Sequence, residues 1–119
     1  MLIWIKILLI TDERPKRGRI MADRYDGKAI GIYEADSLVA CFMGLDAAAK
    51  AADVMIQGVE RNRLKSGACV KMRGSISDVE AAMEAAIRVA SQYGKITASH
   101  VIASPTPDTD IAMKMTIKK

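Results

Sequence analysis

Few side chains in this chain could carry out covalent chemistry. The single histidine, His100, shares a face of a predicted strand with Ile96 and Ile102, a pattern that favours a core or subunit-contact position over a general base. The cysteines, Cys41 and Cys69, lack CxxC spacing and are expected to stay reduced, and with one histidine they cannot complete a zinc site. No nucleophile–base pair and no phosphate-binding glycine motif is recognisable. The sequence therefore predicts no enzyme activity, no metal and no cofactor.

The stretch 60–74, ERNRLKSGACVKMRG, is predicted to contain the loop and strand between the two helical halves of the chain. Its centre, Lys65-Ser66-Gly67, favours a small polar turn with a positive φ. A basic turn becomes a stronger feature when a symmetric assembly repeats it around an axis. Taken alone, the stretch could hold phosphate or nucleic acid. It has one acid, Glu60, and five basic residues: Arg61, Arg63, Lys65, Lys71 and Arg73.

Composition argues against a nucleic-acid partner. The net charge of +4 is uneven, because residues 1–28 hold seven basic and four acidic side chains whereas residues 29–119 hold eleven and ten. The basic character is therefore mostly a property of the N-terminal segment. Five scattered aromatic residues offer no stacking platform for bases. The length of 119 residues fits one domain with a two-layer core, in which many small residues allow close packing.

The first ten residues, MLIWIKILLI, are almost wholly apolar. They are too short for a transmembrane helix, which needs about 20 residues, and they lack the features of a signal peptide, so no membrane partner is predicted. Three interpretations stay open: an added strand, a sticky surface segment, or an artefact of start-codon choice, with Met21 opening a natural-looking N-terminus. Residues 1–27 are predicted to be an N-terminal extension that is disordered or such an artefact.

Hydrophobic periodicity predicts the element order β-α-β-β-α-β followed by a short helix. The predicted strands cover residues 28–35, 54–60, 68–73 and 96–103. Asp36 or Ser37 is expected to cap the first helix, 37–52, and Asp108 or Thr109 the short final helix, which ends at Met115. The order indicates a ferredoxin-like fold, with both long helices on one sheet face and the other face left for oligomerisation.

The two long helices have distinct signals in the sequence. Ser77 and Glu80 predict a capping box at the start of the second helix, and Gly94 a left-handed cap after its end. Gly31 within the first strand predicts a close approach by another backbone or helix. The predicted buried stripes are Leu38, Phe42, Leu45, Ala49 and Ala52 in the first helix, and Val79, Met83, Ala86, Ile87 and Ala90 in the second.

Several sequence blocks, in this order, resemble a bacterial microcompartment shell protein of the single-domain, hexamer-forming class. They are residues 29–54 (AIGIYEADSLVACFMGLDAAAKAADV), SGA at 66–68, 73–86 (RGSISDVEAAMEAA) and 94–105 (GKITASHVIASP). The resemblance implies a BMC domain at 28–115 with a tail at 116–119. It further implies flat cyclic homohexamers in a microcompartment shell within the cytoplasm, whose central pore passes small metabolites. The implied partners are other copies of the chain, other shell proteins and encapsulated enzymes.

The resemblance also assigns site residues by position. Lys50 matches the helix-end lysine at the hexamer edge, Asp53 falls where the family often has a small polar residue, and Ser104 replaces the edge arginine. This last difference bears on how the hexamers tile. His100 matches the histidine of the family's last strand. The implied pore-lining residues, in a loop longer than the family's usual one, are Leu64, Lys65, Ser66 and Gly67.

A different class of function also fits the predicted fold. A small-molecule- or nucleotide-binding regulator, similar in plan to the trimeric nitrogen-regulatory proteins, would use basic loop residues such as Arg61 and Arg73 to hold its ligand. Native mass and nucleotide affinity separate the two alternatives, since the regulator is expected to be a trimer that binds nucleotide.

Overall fold

Four antiparallel strands form one sheet in the order β2-β3-β1-β4. The computed structural model describes residues 24–62 and 66–117. The predicted element order and α/β class are confirmed, with boundaries that differ by a residue or two. The elements are β1 (Ala29–Ala35), α1 (Leu38–Ala51), β2 (Met55–Arg61), β3 (Ala68–Gly74), α2 (Ile76–Ala90), β4 (Ile96–Ile102) and α3 (Pro107–Ile117).

Helix α1 buries a different side from the one predicted. Ser37 caps it, accepting a hydrogen bond from the Ala40 amide at 3.0 Å. Of the predicted stripe only Leu45 is fully buried, and Phe42 is 48% exposed. The buried side consists mainly of small residues because α1 packs tightly: a Cβ on Gly44 would lie 2.6 Å from the Tyr33 hydroxyl. The buried residues are Ala40, Cys41, Gly44, Leu45 and Ala48.

Helix α2 begins two residues earlier than its predicted capping box. Ser75, rather than Ser77, is the N-cap: its hydroxyl accepts from the Asp78 amide at 3.2 Å and donates to the Asp78 carboxylate at 2.8 Å. The predicted apolar stripe is confirmed, with Ile87 partly buried and the other four residues buried. The prediction for Gly94 is wrong, since Ser91 is the C-cap and Gly94 has no positive φ. A glycine suits that position because a Cβ would lie 2.8 Å from an Asp36 carboxylate oxygen.

The main core lies between the sheet and the two long helices. Gly31 is the point of closest approach in β1, where a Cβ would lie 2.9 Å from side-chain atoms of Met72, Val79 and Met83. The predicted close approach at Gly31 is therefore confirmed. The core side chains of β3 that point toward these helices include Val70 and Met72, both fully buried.

The opposite face of the sheet is partly covered by α3, whereas the sequence predicts that oligomerisation covers this face. Thr106 caps α3 in place of the predicted Asp108 or Thr109, accepting from the Thr109 amide at 3.2 Å. The side chains between α3 and β3 are charged and buried: Arg73 is 1% exposed and Asp110 is 6% exposed. Their Nη2–Oδ1 distance is 2.7 Å. On β4, residues 97–100 are exposed in the single chain.

Residues 24–28 form a turn that packs against the same network, although the sequence placed residues 24–27 in the extension. Arg73 donates to the backbone carbonyls of Tyr25 and Lys28 at 2.5 and 3.0 Å. The Gly27 amide donates to the Asp110 carboxylate at 2.9 Å, and Asp26 pairs with Lys114 at 2.5 Å. The rest of the predicted extension, residues 1–23, lies outside the described residues. Among the described residues, no helix is long and apolar enough to cross a bilayer.

Candidate functional site

The connection between β2 and β3 is fixed at both of its ends. The Asn62 amide donates to the Gly67 carbonyl at 2.9 Å, which closes the base of the loop. The Ser66 hydroxyl donates to the Asp36 carbonyl at 2.9 Å, which ties the loop to the start of α1. The remaining loop residues, 63–65, lie outside the described residues, and they include the predicted pore residues Leu64 and Lys65.

Position 67 requires glycine because there is no room for a Cβ atom, and not because of its backbone conformation. The sequence allowed a positive φ in this turn, but among the described residues the positive φ is that of Gly27, at 79°. A Cβ on Gly67 would instead overlap the carbonyl oxygen of Ala35 and approach the Asp36 Cα to 2.9 Å. The end of β1 and the base of the loop are therefore in backbone contact, a closeness that only glycine allows.

Helix α1 leads directly from this loop to the predicted edge lysine. Its N-cap follows Asp36, and its 14 residues span about 21 Å at 1.5 Å per residue. Lys50, in the last turn, pairs with Asp46 at 2.7 Å, with side chains 76% and 51% exposed. An exposed i,i+4 pair of this kind contributes only about 0.3–0.5 kcal/mol to stability. The Lys50 side chain is therefore exposed and only weakly held by its partner.

The other predicted surface residues are also accessible in the single chain. Asp53, just after α1, and Ser104, after β4, are both exposed. His100 lies on the edge strand β4 opposite Ile32 and is exposed, so it is not a core residue. The other alternative for His100, a subunit contact, is compatible with this position.

One of the two arginines proposed to hold a nucleotide is not available in the structure. Arg61 is exposed at the end of β2, but Arg73 is buried and paired with Asp110. Lys71 is likewise engaged, by the Glu60 carboxylate and by the Thr116 hydroxyl at 2.7 Å. The basic residues of β3 therefore hold α3 on the sheet and are not available to a phosphate group.

The two cysteines are free, and burial keeps both of them protonated. The Cys41 thiol, inside the core, donates to the Ala68 carbonyl at 3.2 Å, and burial raises its pKa. Burial, followed by the charge of Glu34, raises the pKa of the Cys69 thiol to about 11. Among the described residues, no group of three or more His, Cys, Asp or Glu residues is arranged to hold a metal ion.

The sequence interpretation missed two features in and just before the first half of α1. Asp36 was considered only as a helix cap, yet its carbonyl holds the loop serine, and its carboxylate accepts from the Lys95 amide at 2.8 Å. The second feature is an apolar surface on α1 formed by Val39, Phe42 and Met43. The spacing of the small residues Ala40, Gly44 and Ala48 could have revealed it, because a stripe of small residues allows closer helix packing and leaves the larger residues outside.

Comparisons with known proteins identify the class that this fold and loop define. The family model described as "BMC domain" matches residues 29–105. The bacterial microcompartment shell protein PduA of Citrobacter freundii is 38% identical over 85 residues, covering 71% of this chain and 87% of PduA. The shell protein EutM of Escherichia coli K12 is 33% identical over 92 residues, covering 76% and 93%. A microcompartment protein structure from Desulfitobacterium hafniense matches the fold with a TM-score of 0.69 at 24% identity.

The chain belongs to the BMC domain family. The match to the Desulfitobacterium structure covers 89% of this chain but 56% of that one, whereas the shell proteins are matched over most of their length. The chain is accordingly a shell protein of a bacterial microcompartment, a structural protein rather than an enzyme. Membership of this family implies assembly with other copies of the chain and with other shell proteins.

Proposed function

We propose that the chain forms a cyclic homohexamer that tiles into the microcompartment shell and passes small metabolites through a central pore. Leu64, Lys65, Ser66 and Gly67 line the pore in this proposal, while Lys50, Asp53 and Ser104 form the outer edge. The tile itself comprises residues 28–115. The assembled shell surrounds encapsulated enzymes, and the tile carries out no covalent chemistry of its own.

One observation supports this proposal: Ser66, at the base of the loop, and Lys50 lie at opposite ends of helix α1. The start of α1 is tied to the loop through Ser66 and Asp36, and its last turn presents Lys50 to solvent. A tile needs an inner rim and an outer edge held at a fixed separation. A 14-residue helix supplies that separation.

The charge of the loop suggests what the pore passes. Lys65, assisted by Arg63, would place six or more positive charges around the axis, which favours anionic or polar metabolites and disfavours cations. Replacing Lys65 with Glu is expected to lower the flux of an anionic substrate into assembled shells. Arg88→Glu, the same charge change on the exposed side of α2, is the matched control. Unchanged anion flux in the Lys65 variant would contradict the proposed charge selectivity of the pore. It would not contradict the proposal that the chain forms a tile of the shell.

The edge assignment has its own test. Lys50→Ala and Lys50→Asp are expected to leave hexamers intact, because the lysine side chain is 76% exposed in the single chain, but to weaken the formation of sheets. Electron microscopy of sheets at matched protein concentration, together with native mass of the soluble rings, measures both properties. If the variants tile as well as the parent, Lys50 acts only on the helix dipole and its Asp46 partner.

A further inference from the structure

Asp36 lies where three connections of the chain meet. It follows the last residue of β1 and precedes Ser37, the N-cap of α1. On one side the Ser66 hydroxyl, at the base of the β2–β3 loop, donates to the Asp36 backbone carbonyl at 2.9 Å. On the other side lies Lys95, in the connection between α2 and β4. Asp36 therefore links the base of the loop to a connection that is distant from it in sequence.

Two hydrogen bonds fix Asp36 against Lys95. The Asp36 amide donates to the Lys95 carbonyl at 3.0 Å, and the Lys95 amide donates to the Asp36 carboxylate at 2.8 Å. These bonds hold both the backbone and the side chain of Asp36, and helix α1 begins two residues later. The direction of the Asp36 carbonyl is therefore fixed by bonds other than the one that it accepts from Ser66. An acceptor fixed in this way restricts the position of its donor.

The packing around Asp36 is close on both sides. A Cβ on Gly94 would lie 2.8 Å from an Asp36 carboxylate oxygen, and a Cβ on Gly67 would lie 2.9 Å from the Asp36 Cα. Glycine at both positions lets the two connections approach the same residue. Because the contacts are this close, a displacement of Asp36 is expected to move the base of the loop.

We propose that Asp36 is a positioning residue for the rim of the pore: its carboxylate, held by the Lys95 amide, fixes the carbonyl to which Ser66 is bonded. This inference rests on the proposed function, in which Ser66 and Gly67 line the pore. Asp36 does not itself contact the metabolite. It supplies a fixed position for these two rim residues, and discrimination by pore diameter depends on that position.

Two substitutions of Asp36 separate its hydrogen bond from its charge. Asp36→Asn keeps an acceptor oxygen for the Lys95 amide, whereas Asp36→Ala removes it. Both substitutions remove the negative charge that favours the N-terminus of α1, so the effect of losing that charge is common to both. A role for the hydrogen bond predicts that Asp36→Asn behaves like the parent and that Asp36→Ala does not.

The Asn62 amide reports on the base of the loop, because it donates to the Gly67 carbonyl at 2.9 Å. Its hydrogen exchange is expected to be about 3- to 10-fold faster in Asp36→Ala, the effect of losing one hydrogen bond. In Asp36→Asn the rate is expected to stay within about twofold of the parent. Amides in the core of α2 measure global stability in the same samples.

Asp46→Ala is the matched control, since it makes the same change at an exposed position of α1. It is expected to leave the exchange rate of the Asn62 amide within about twofold of the parent. The proposal is overturned if Asp36→Ala exchanges no faster than Asp46→Ala at this amide. It is equally overturned if Asp36→Asn exchanges as fast as Asp36→Ala.

Gly94→Ala reaches Asp36 from the side away from the loop. The new Cβ would lie 2.8 Å from the Asp36 carboxylate oxygen, so the carboxylate must shift although no loop residue has changed. Exchange at the Asn62 amide is expected to rise by a similar factor, and to rise little further when Gly94→Ala is added to Asp36→Ala. Effects that multiply fully in the double variant would show that the two positions act independently, which contradicts the proposal.

Permeation through assembled shells tests the link to the pore. The uptake of citrate relative to inorganic phosphate is expected to rise in Asp36→Ala, because a rim that is held less firmly discriminates less by size. In Asp36→Asn the ratio is expected to match the parent. An unchanged ratio in Asp36→Ala, despite faster exchange at the base of the loop, would overturn the proposed role of this loop as a pore. The exchange rates would then describe a structural contact only.

Discussion

The two faces of the sheet are held by opposite kinds of interaction. On the face toward α1 and α2, glycines and alanines allow close apolar packing around Gly31 and Gly44. On the face toward α3, charged side chains meet: buried Arg73 pairs with buried Asp110, and buried Lys114 pairs with the more exposed Asp26. The face toward α1 and α2 is held by how closely its apolar side chains pack. The face toward α3 is held by the pairing of its charged side chains.

This difference determines how substitutions on each face change the stability of the fold. Apolar packing degrades gradually with each added or removed methyl group. A buried ion pair fails abruptly when one partner is removed, because the other is left charged and desolvated. The charged face also joins three segments that are distant in sequence, namely residues 24–28, β3 and α3, so a single substitution there loosens all three.

The largest expected effect is on the charged face. Arg73→Ala leaves Asp110 buried without its charged partner and removes the Arg73 hydrogen bonds to the Tyr25 and Lys28 carbonyls, so it should lower the free energy of unfolding by about 3–5 kcal/mol. Urea denaturation at one fixed protein concentration measures the change. Arg88→Ala, which breaks an exposed i,i+4 pair with Glu84, should cost no more than about 0.5 kcal/mol.

A double substitution sharpens this first prediction. Arg73→Met combined with Asp110→Leu removes both charges at once, and most of the lost stability should return because no unpaired charge remains. If Arg73→Ala costs as little as Arg88→Ala, the charged network does not hold α3 on the sheet.

The next effect is on the apolar face. Gly44→Ala would stabilise an exposed helix by up to about 1 kcal/mol, but here it should destabilise the chain by about 1–3 kcal/mol. The reason is steric, because the new Cβ would lie 2.6 Å from the Tyr33 hydroxyl, which donates to the Cys41 carbonyl at 2.7 Å. Thermal denaturation shows directly whether Gly44→Ala raises or lowers the stability. Ala81→Leu, on the exposed side of α2, is the control for added side-chain volume. A more stable Gly44→Ala variant would contradict the tight packing of α1 against α2.

The smallest effect concerns pH. The Cys69 pKa rises from 9.0 to about 11 on folding, so above pH 9 the unfolded chain loses this proton first. Stability is therefore unaffected by this thiol below pH 9 and falls as the pH rises from 9 toward 11. Urea midpoints measured at several pH values across this window should fall less steeply for Cys69→Ala than for the parent. Equal slopes would show that the thiol is no harder to ionise in the folded chain.

Periodicity in the sequence was sufficient to predict the element order, the buried stripe of α2 and the close approach at Gly31. It was not sufficient for α1, where large apolar residues at helical spacing suggested a core that included Phe42. Residue-by-residue hydrophobicity cannot show that two helices approach closely enough to exclude large side chains. The small residues Ala40, Gly44 and Ala48 carried that information.

The charged face was beyond the reach of sequence patterns for a different reason. Arg73 and Asp110 are 37 residues apart, and each is an ordinary surface residue by composition. Only the β3 register and the return of α3 onto the sheet bring them together. The site residues divide in the same way: the roles of Lys50 and of the loop are predictions from the resemblance, whereas the contact between Ser66 and Asp36 is visible only in the fold.

Native mass of the parent chain, followed by electron microscopy of the same sample, tests the central claim most directly. We expect closed rings of six 12.9 kDa chains, about 77 kDa, with a central opening and no affinity for nucleotides. A trimer of about 39 kDa that binds a nucleotide, or a chain that stays monomeric at every concentration, would contradict it.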